Sequence, residues 1–355
     1  MFKTREHCIM RNIISLGAIN LLIFIAITNG QSRKMDEWET WSLQKLEDEV
    51  SPSRWNPRKS PDEVIKEYVD TSILGTHSAQ ETIPHELNIP YGEKPSQQYD
   101  LYGTDLSPDS HIYIWIHGGY WQEGSKDISA LFASTLHAQG VRNIVLGYTL
   151  APAASIAQIE EEVVLALKEI ISKHPNSPII IGGHSAGAQL ASMILHNQSD
   201  PVIVEHIKEF HFVSGVYDLR PLIPTYVNNP LKLTRSTADA SSPLRIRKIQ
   251  QRFLDKGADL KISVTVAKHD SPLFQQQSQE YYKLLRKAFS HFEFWKSDSD
   301  DHFTLIQNMA KSNTGAGKQF HQQVSALKSS GTTRLVSNQV TTLMSIIAIF
   351  MLLYT

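Results

Sequence analysis

The chain has 355 residues, 41% hydrophobic and 20% charged, with a formal net charge of −2, enough for one large globular domain with its own core. No Lys/Arg cluster interleaves with aromatics, which argues against a nucleic-acid partner. The single cysteine, Cys8, excludes an internal disulfide framework, and no paired-cysteine, His-Glu-x-x-His or phosphate-loop pattern calls for a metal or a cofactor.

Near the start, Lys3, Arg5 and Arg11 precede an apolar stretch from Ile13 to Ile27, then Thr28-Asn29-Gly30. This is the order of a secretory signal over residues 1–30; an uncleaved signal anchor is the rival reading. Residues 31–80 are polar, with Trp38, Trp41 and Trp55 among charges, and are expected to form an arm of short helices packed on the domain by those indoles. Thr82 to Ile89 and Gln97 to Tyr102 predict an antiparallel strand pair about a Gly-Glu-Lys-Pro turn.

Strands and helices then alternate. Strand His111 to Ile116, helix Ile128 to Gln139 and strand Arg142 to Tyr148 come first. Helix Ile156 to His174, with Ile159, Val163, Leu167 and Ile170 at helical spacing, leads to strand Ile179 to Gly182. Helix Ala186 to His196 and strand Phe210 to Ser214 follow. Beyond these come strand Ile262 to Ala267, helix Pro272 to Phe289, strand Phe292 to Trp295 and a helix from about His302. The alternation predicts an α/β fold, one mostly parallel sheet with helices on both faces over a single domain, 31–328. Ligands of such sheets bind beyond the carboxyl ends of the strands. Pro224 to Pro243, rich in Asn, Thr, Ser and Ala, is expected to be a loop-rich insertion and a candidate lid.

At the C-terminus, Ser329-Ser330-Gly331, a polar spacer from Thr332 to Gln339 and an apolar tail from Leu343 to Tyr354 have the order of a glycolipid (GPI) anchor signal over 329–355. A tail anchor or a frayed end is the alternative. On the secretory reading the sequon Asn197-Gln198-Ser199 becomes available for glycosylation.

The chemistry centres on Gly183-His184-Ser185-Ala186-Gly187. A β-branched run precedes it and small residues able to continue as a helix follow, the setting of a nucleophile elbow. The bland reading is a Gly/Ser turn into a helix. A serine nucleophile needs a base, and the base an orienting acid, in the chain order Ser, Asp or Glu, His. Asp270 directly follows a strand and precedes Ser271-Pro272, a cap and first-turn pair. Asp218 is the runner-up, and either could be a turn or capping acid. His302 lies in the loop after the last strand, whereas His291 is at a strand start and His321 in or beyond the terminal helix. The neighbours Asp298, Asp300 and Asp301 read as a solvated turn. For the oxyanion, one donor is the N–H of Ala186. Others come from His117-Gly118-Gly119-Tyr120-Trp121, where glycines let amides face a substrate; the bland reading is a plain Gly-Gly turn.

The segments "HGGYWQEGSKD", "GHSAGAQLA", "VSGVYDLRPL", "KHDSPLFQQQS" and "DHFTLIQN", with the arm "LEDEVSPSRW", together resemble the kynurenine formamidase (arylformamidase) family of α/β-hydrolases over about Met35 to Phe320. The resemblance implies a Ser185, Asp270 and His302 triad, an oxyanion site at Gly118, Gly119 and Ala186, and hydrolysis of the small molecule N-formyl-L-kynurenine without a cofactor. Tyr120 and Trp121 become candidates to wall the aryl pocket, or only to pack against the loop. Gln189 stands where the family often has His, and Leu273 replaces an acidic residue. The familiar enzymes are cytosolic, so translation from Met35 is the alternative to a cell-surface form. A broader carboxylesterase or arylamidase, and an inactive adhesion module on the same fold, are the competing functions. Monomer and homodimer both stay open.

Overall fold

Three neighbouring strands are buried at every residue, which requires cover on both faces of the sheet. The computed structural model describes residues 36–325. The leader and the C-terminal tail lie outside them, and no helix among the described residues is long and apolar enough to cross a membrane. The chain divides into two units, Met1–Ser42 and Leu43–Thr355. In the first, the described part is a 3-10 turn, Glu37–Thr40, whose cap Asp36 donates its N–H to Glu39 Oε2 at 3.1 Å.

The second unit carries an eight-stranded sheet: β1 (His85–Pro90), β2 (Gln98–Tyr102), β3 (Ile112–Ile116), β4 (Arg142–Leu146), β5 (Ile179–His184), β6 (Ile207–Val213), β7 (Lys261–Val266) and β8 (Phe292–Lys296). Their order is β1-β2-β4-β3-β5-β6-β7-β8. β2 runs antiparallel to both neighbours, and all pairs from β4 to β8 are parallel. This is the mostly parallel sheet that the alternation of elements predicts, with the antiparallel pair at one edge, in the arrangement that the family resemblance implies. Alternate side chains of β3, Tyr113 and Trp115, enter a core cluster with Phe132, Leu305 and Phe320 from the covering helices. Trp115 meets Phe132 edge-on at 4.7 Å, a geometry that adds about 0.5–1.5 kcal/mol to the area buried.

Three expectations need correction. The arm is not made of short helices alone: a 22-residue helix, Pro61–Thr82, dominates it. Its start is a capping box, Ser60 with Glu63, and Pro61 at the first position. The helix expected over Ile128 to Gln139 shrinks to Ala133–Ala138; Lys126–Ile128 is a 3-10 turn instead, and the N–H of Ala130 between them donates to Thr76 Oγ1 of the long helix at 3.0 Å. The stretch from Pro224 to Pro243 is a loop only in part; it also holds the short helices Asn228–Leu231 and Arg235–Ala240, and Pro243–Ile246 follows at its end. Asn228 closes the first of these by bonding Ile223 O, Leu233 O and Leu233 N–H with its side-chain amide.

Candidate active site

β5 ends at His184 and the helix Ala186–Asn197 begins one residue past Ser185. Ser185 sits at φ 56, ψ −118, a conformation unfavourable for an L-residue. What holds it there is tight backbone packing and its own N–H, which donates to Val213 O at 2.9 Å. A Cβ on Gly183 would fall 2.3 Å from Gly187 O, and one on Gly187 2.1 Å from Ile116 O. Both glycines are therefore required for the elbow to close.

Asp270 and His302 lie in the loops after β7 and β8. His302 Nδ1 donates to Asp270 Oδ1 at 2.6 Å. The other carboxylate oxygen accepts the Ser214 hydroxyl at 2.5 Å and the Ala267 N–H at 2.9 Å. Ser271 caps the next helix, Pro272–Leu285, through the N–H of Phe274 at 3.2 Å, which fixes the backbone just past Asp270. Asp218 is committed elsewhere: it accepts Arg220 Nε at 2.8 Å and the Arg220 N–H at 3.0 Å. The acids before His302 do not form a solvated turn. Asp301 is buried, caps Phe303 and Thr304 through their N–H groups, and pairs with Arg58 at 3.0 Å. Asp300 is buried too and accepts from Asn308 Nδ2 at 2.6 Å, leaving Asp298 exposed.

The loop after β3 passes Gly118 against the elbow. A Cβ there would meet His184 O at 2.9 Å and Ser185 Cβ at 3.1 Å. Gly119, at φ +106, makes the turn that follows. His117 fixes this loop from behind, stacking on Tyr148 at 4.3 Å and donating from Nδ1 to Gly118 O at 2.8 Å. Burial pushes His117 down to about 4, so it stays neutral. Ala186 is the first residue of its helix, where an N–H has no intrahelical acceptor.

These groups face one cavity of about 370 Å³, lined by His117, Gly118, Gly119, His184, Ser185 and His302, and by the aromatics Tyr68, Tyr120, Tyr226 and Phe303. Ile65, Tyr68 and Val69 belong to the long arm helix, so the arm is a wall of the site. Tyr120 lines the cavity and donates its hydroxyl to Val50 O at 2.8 Å. Trp121 does not line it. Its indole is fully buried, with Nε1–H donating to Gln189 Oε1 at 3.0 Å, and its role is packing. No group of acids, histidines or cysteines among the described residues is arranged to hold a metal.

A family model described as an alpha/beta hydrolase fold matches residues 113–305. Kynurenine formamidase of Danio rerio is 37% identical over 286 residues, 79% of this chain and 95% of the relative. That of Salmo salar is 37% identical over 280 residues, 78% of this chain and 94% of the relative. The chain belongs to the kynurenine formamidase family of α/β-hydrolases. Like the family, it is a hydrolytic enzyme. Esterase B of Lactobacillus rhamnosis matches the fold with a TM-score of 0.58 at 16% identity, covering 79% of this chain and 98% of that one.

Two residues of this formamidase-family site escaped the sequence reading. Ser214, at φ 46, bonds Asp270 from the end of the adjacent strand. His184 donates from Nε2 to His302 O at 3.1 Å, and burial holds it well below the ordinary histidine range, hence neutral. The segment "VSG" at a strand end was the available signal for Ser214. For His184, adjacency to the elbow serine was the only one.

Proposed function

We propose that the enzyme hydrolyses N-formyl-L-kynurenine to formate and L-kynurenine, a step of tryptophan breakdown, with Ser185 as nucleophile, His302 as base and Asp270 as orienting acid. The observation that carries this reading is the His302 Nδ1 to Asp270 Oδ1 bond of 2.6 Å, with Ser185 and His302 on one cavity wall. Asp270 fixes the tautomer in which Nε2 is free to take a proton. Ser185 Oγ attacks the formyl carbon while His302 takes the hydroxyl proton. The N–H groups of Gly118, Gly119 and Ala186 receive the oxyanion, each worth roughly 3 kcal/mol in the transition state. The C–N bond then breaks, and His302 returns the proton to the departing arylamine. Water, activated by the same base, releases formate from the formyl-serine.

The aromatic walls suit an aryl ring, and family relatives named for this activity span nearly their whole length in the alignment. The test is hydrolysis of N-formylkynurenine against short acyl esters, with Ser185→Ala as control. Turnover of the formanilide lost in Ser185→Ala is the expected result; equal inactivity of both proteins on both substrates overturns it. We also propose that the terminal segments direct the enzyme through the secretory pathway to a glycolipid anchor. Release from intact cells by a phosphatidylinositol-specific phospholipase tests this, and retention after treatment refutes it.

A further inference from the structure

The cavity has an uneven charge. Among its lining residues there is no lysine or arginine, and Glu123 is the one carboxylate. The nearby cations are committed. Lys126 holds Asp100 at 2.9 Å and Asp127 at 2.7 Å, and Arg58 holds Glu67 and Asp301 at 3.0 Å. His117 and His184 are kept neutral by burial. Glu123, by contrast, is exposed, and its carboxylate has no ion pair or hydrogen bond among the described residues.

Its backbone is fixed although its side chain is free. The N–H of Glu123 donates to Gly119 O at 2.9 Å, closing the turn that follows Gly118. A Cβ on Gly119 would fall 3.2 Å from Glu123 Cβ, so the side chain of Glu123 starts beside the proposed oxyanion loop, and Glu123 lines the same cavity as Ser185. Ser185 and Glu123 line one cavity, so a substrate whose formyl group reaches Ser185 has this carboxylate among the groups its other end can meet. A negative charge with no local partner attracts a cationic substituent and repels an anionic one.

We propose that Glu123 is a specificity-determining residue that selects formanilides bearing an ammonium group, leaving any carboxylate of the substrate at the solvent-facing mouth. This rests on the formamidase reading above and adds the charge preference. The zwitterionic amino-acid substituent of formylkynurenine satisfies it by its ammonium.

The experiment compares three formanilides on the full chain. One is neutral, one carries an aminoalkyl ketone without a carboxylate, and one carries a carboxyalkyl ketone without an amine. Wild type is expected to favour the ammonium over the carboxylate compound by about tenfold in kcat/KM, a preference that shrinks with added salt. Glu123→Gln is expected to lower the ammonium-to-neutral ratio of kcat/KM by about threefold, through KM, and Glu123→Lys to invert the ammonium-to-carboxylate preference. A purely structural role would move all three substrates together and leave the ratios fixed. Unchanged ratios in both variants overturn the proposal. If wild type turns over none of the three, the formamidase reading fails instead. The same ratio measured on phenyl esters with and without an ammonium group then decides the role of Glu123.

Discussion

The carboxylate of Glu49 accepts the backbone N–H of Leu273 at 2.9 Å, so a residue of the arm closes the first turn of the helix that starts just past Asp270. The next two residues act alike. Val50 O takes the Tyr120 hydroxyl, and Ser51 Oγ shares a hydrogen bond with the Tyr226 hydroxyl, each at 2.8 Å. One tripeptide thus ties together the loop after β7, the loop after β3 and the insertion. Glu49→Ala leaves the buried Leu273 N–H without an acceptor, and a loss of about 1–3 kcal/mol in stability is expected. Glu49→Gln keeps an acceptor oxygen and should recover most of it. Thermal unfolding of both variants checks this; equal melting points would show that the hydrogen bond is not the source.

Asp270 holds three donors at once, from His302, Ser214 and Ala267. Asp270→Asn should cut kcat by roughly 10³–10⁴ by favouring the wrong His302 tautomer. Ser214→Ala removes one donor and leaves the His302 bond in place, so a milder loss of about tenfold is expected, in line with one charge-assisted hydrogen bond. Steady-state rates beside melting curves separate the two. A Ser214→Ala enzyme as slow as Asp270→Asn would mean that the hydroxyl does more than hold the acid.

Much of this frame is readable from local pattern. The run Ile179-Ile180-Ile181 before two glycines marks a buried strand, and the acid and histidine follow strands of their own. Ser214 was hidden because its bond to Asp270 depends on β6 lying beside β7, with Val213 level with Thr265; pairing order is not a local property. The helix Pro61–Thr82 carried its start signal, Ser60-Pro61-Asp62-Glu63, yet only four of its residues are buried, Val64, Ser72, Thr76 and Ala79. A face that narrow gives little periodicity to read. Asp300 and Asp301 looked solvated because charge density alone does not reveal the caps and ion pair that allow burial. For Trp121 the motif leaves pocket wall and loop packing open; with φ at 61 its buried indole donates to Gln189, the packing reading.

Gly118→Ala tests the contact between the proposed oxyanion loop and the elbow. Its methyl group would stand 2.9 Å from His184 O and 3.1 Å from Ser185 Cβ, closer than either can yield without moving the nucleophile. Displacing one oxyanion donor costs about 10²–10³ in kcat. A loss of that size is expected with KM little changed, since ground-state binding relies on the walls of the cavity. Intact kcat in Gly118→Ala would place the oxyanion elsewhere.

Glu160 lies outside the catalytic groups but sets a pH dependence of stability. Its Oε1 accepts from Gln189 Nε2 at 2.9 Å, and Gln189 in turn accepts from Trp121. Burial, opposed by that hydrogen bond, raises the Glu160 carboxyl from 4.5 to about 7. Between these values the folded state binds more protons than the unfolded one. Stability contributed here is therefore present near pH 4.5 and is lost as pH rises to about 7, by an amount on the order of 1–3 kcal/mol. Glu160→Gln keeps the acceptor for Gln189 and carries no charge, so it should match wild type near pH 4.5 and exceed it near pH 8. Urea unfolding across that range reads the difference directly. A gap that stays constant with pH would mean that Glu160 does not titrate there, and that the Trp121–Gln189–Glu160 chain is held by geometry alone.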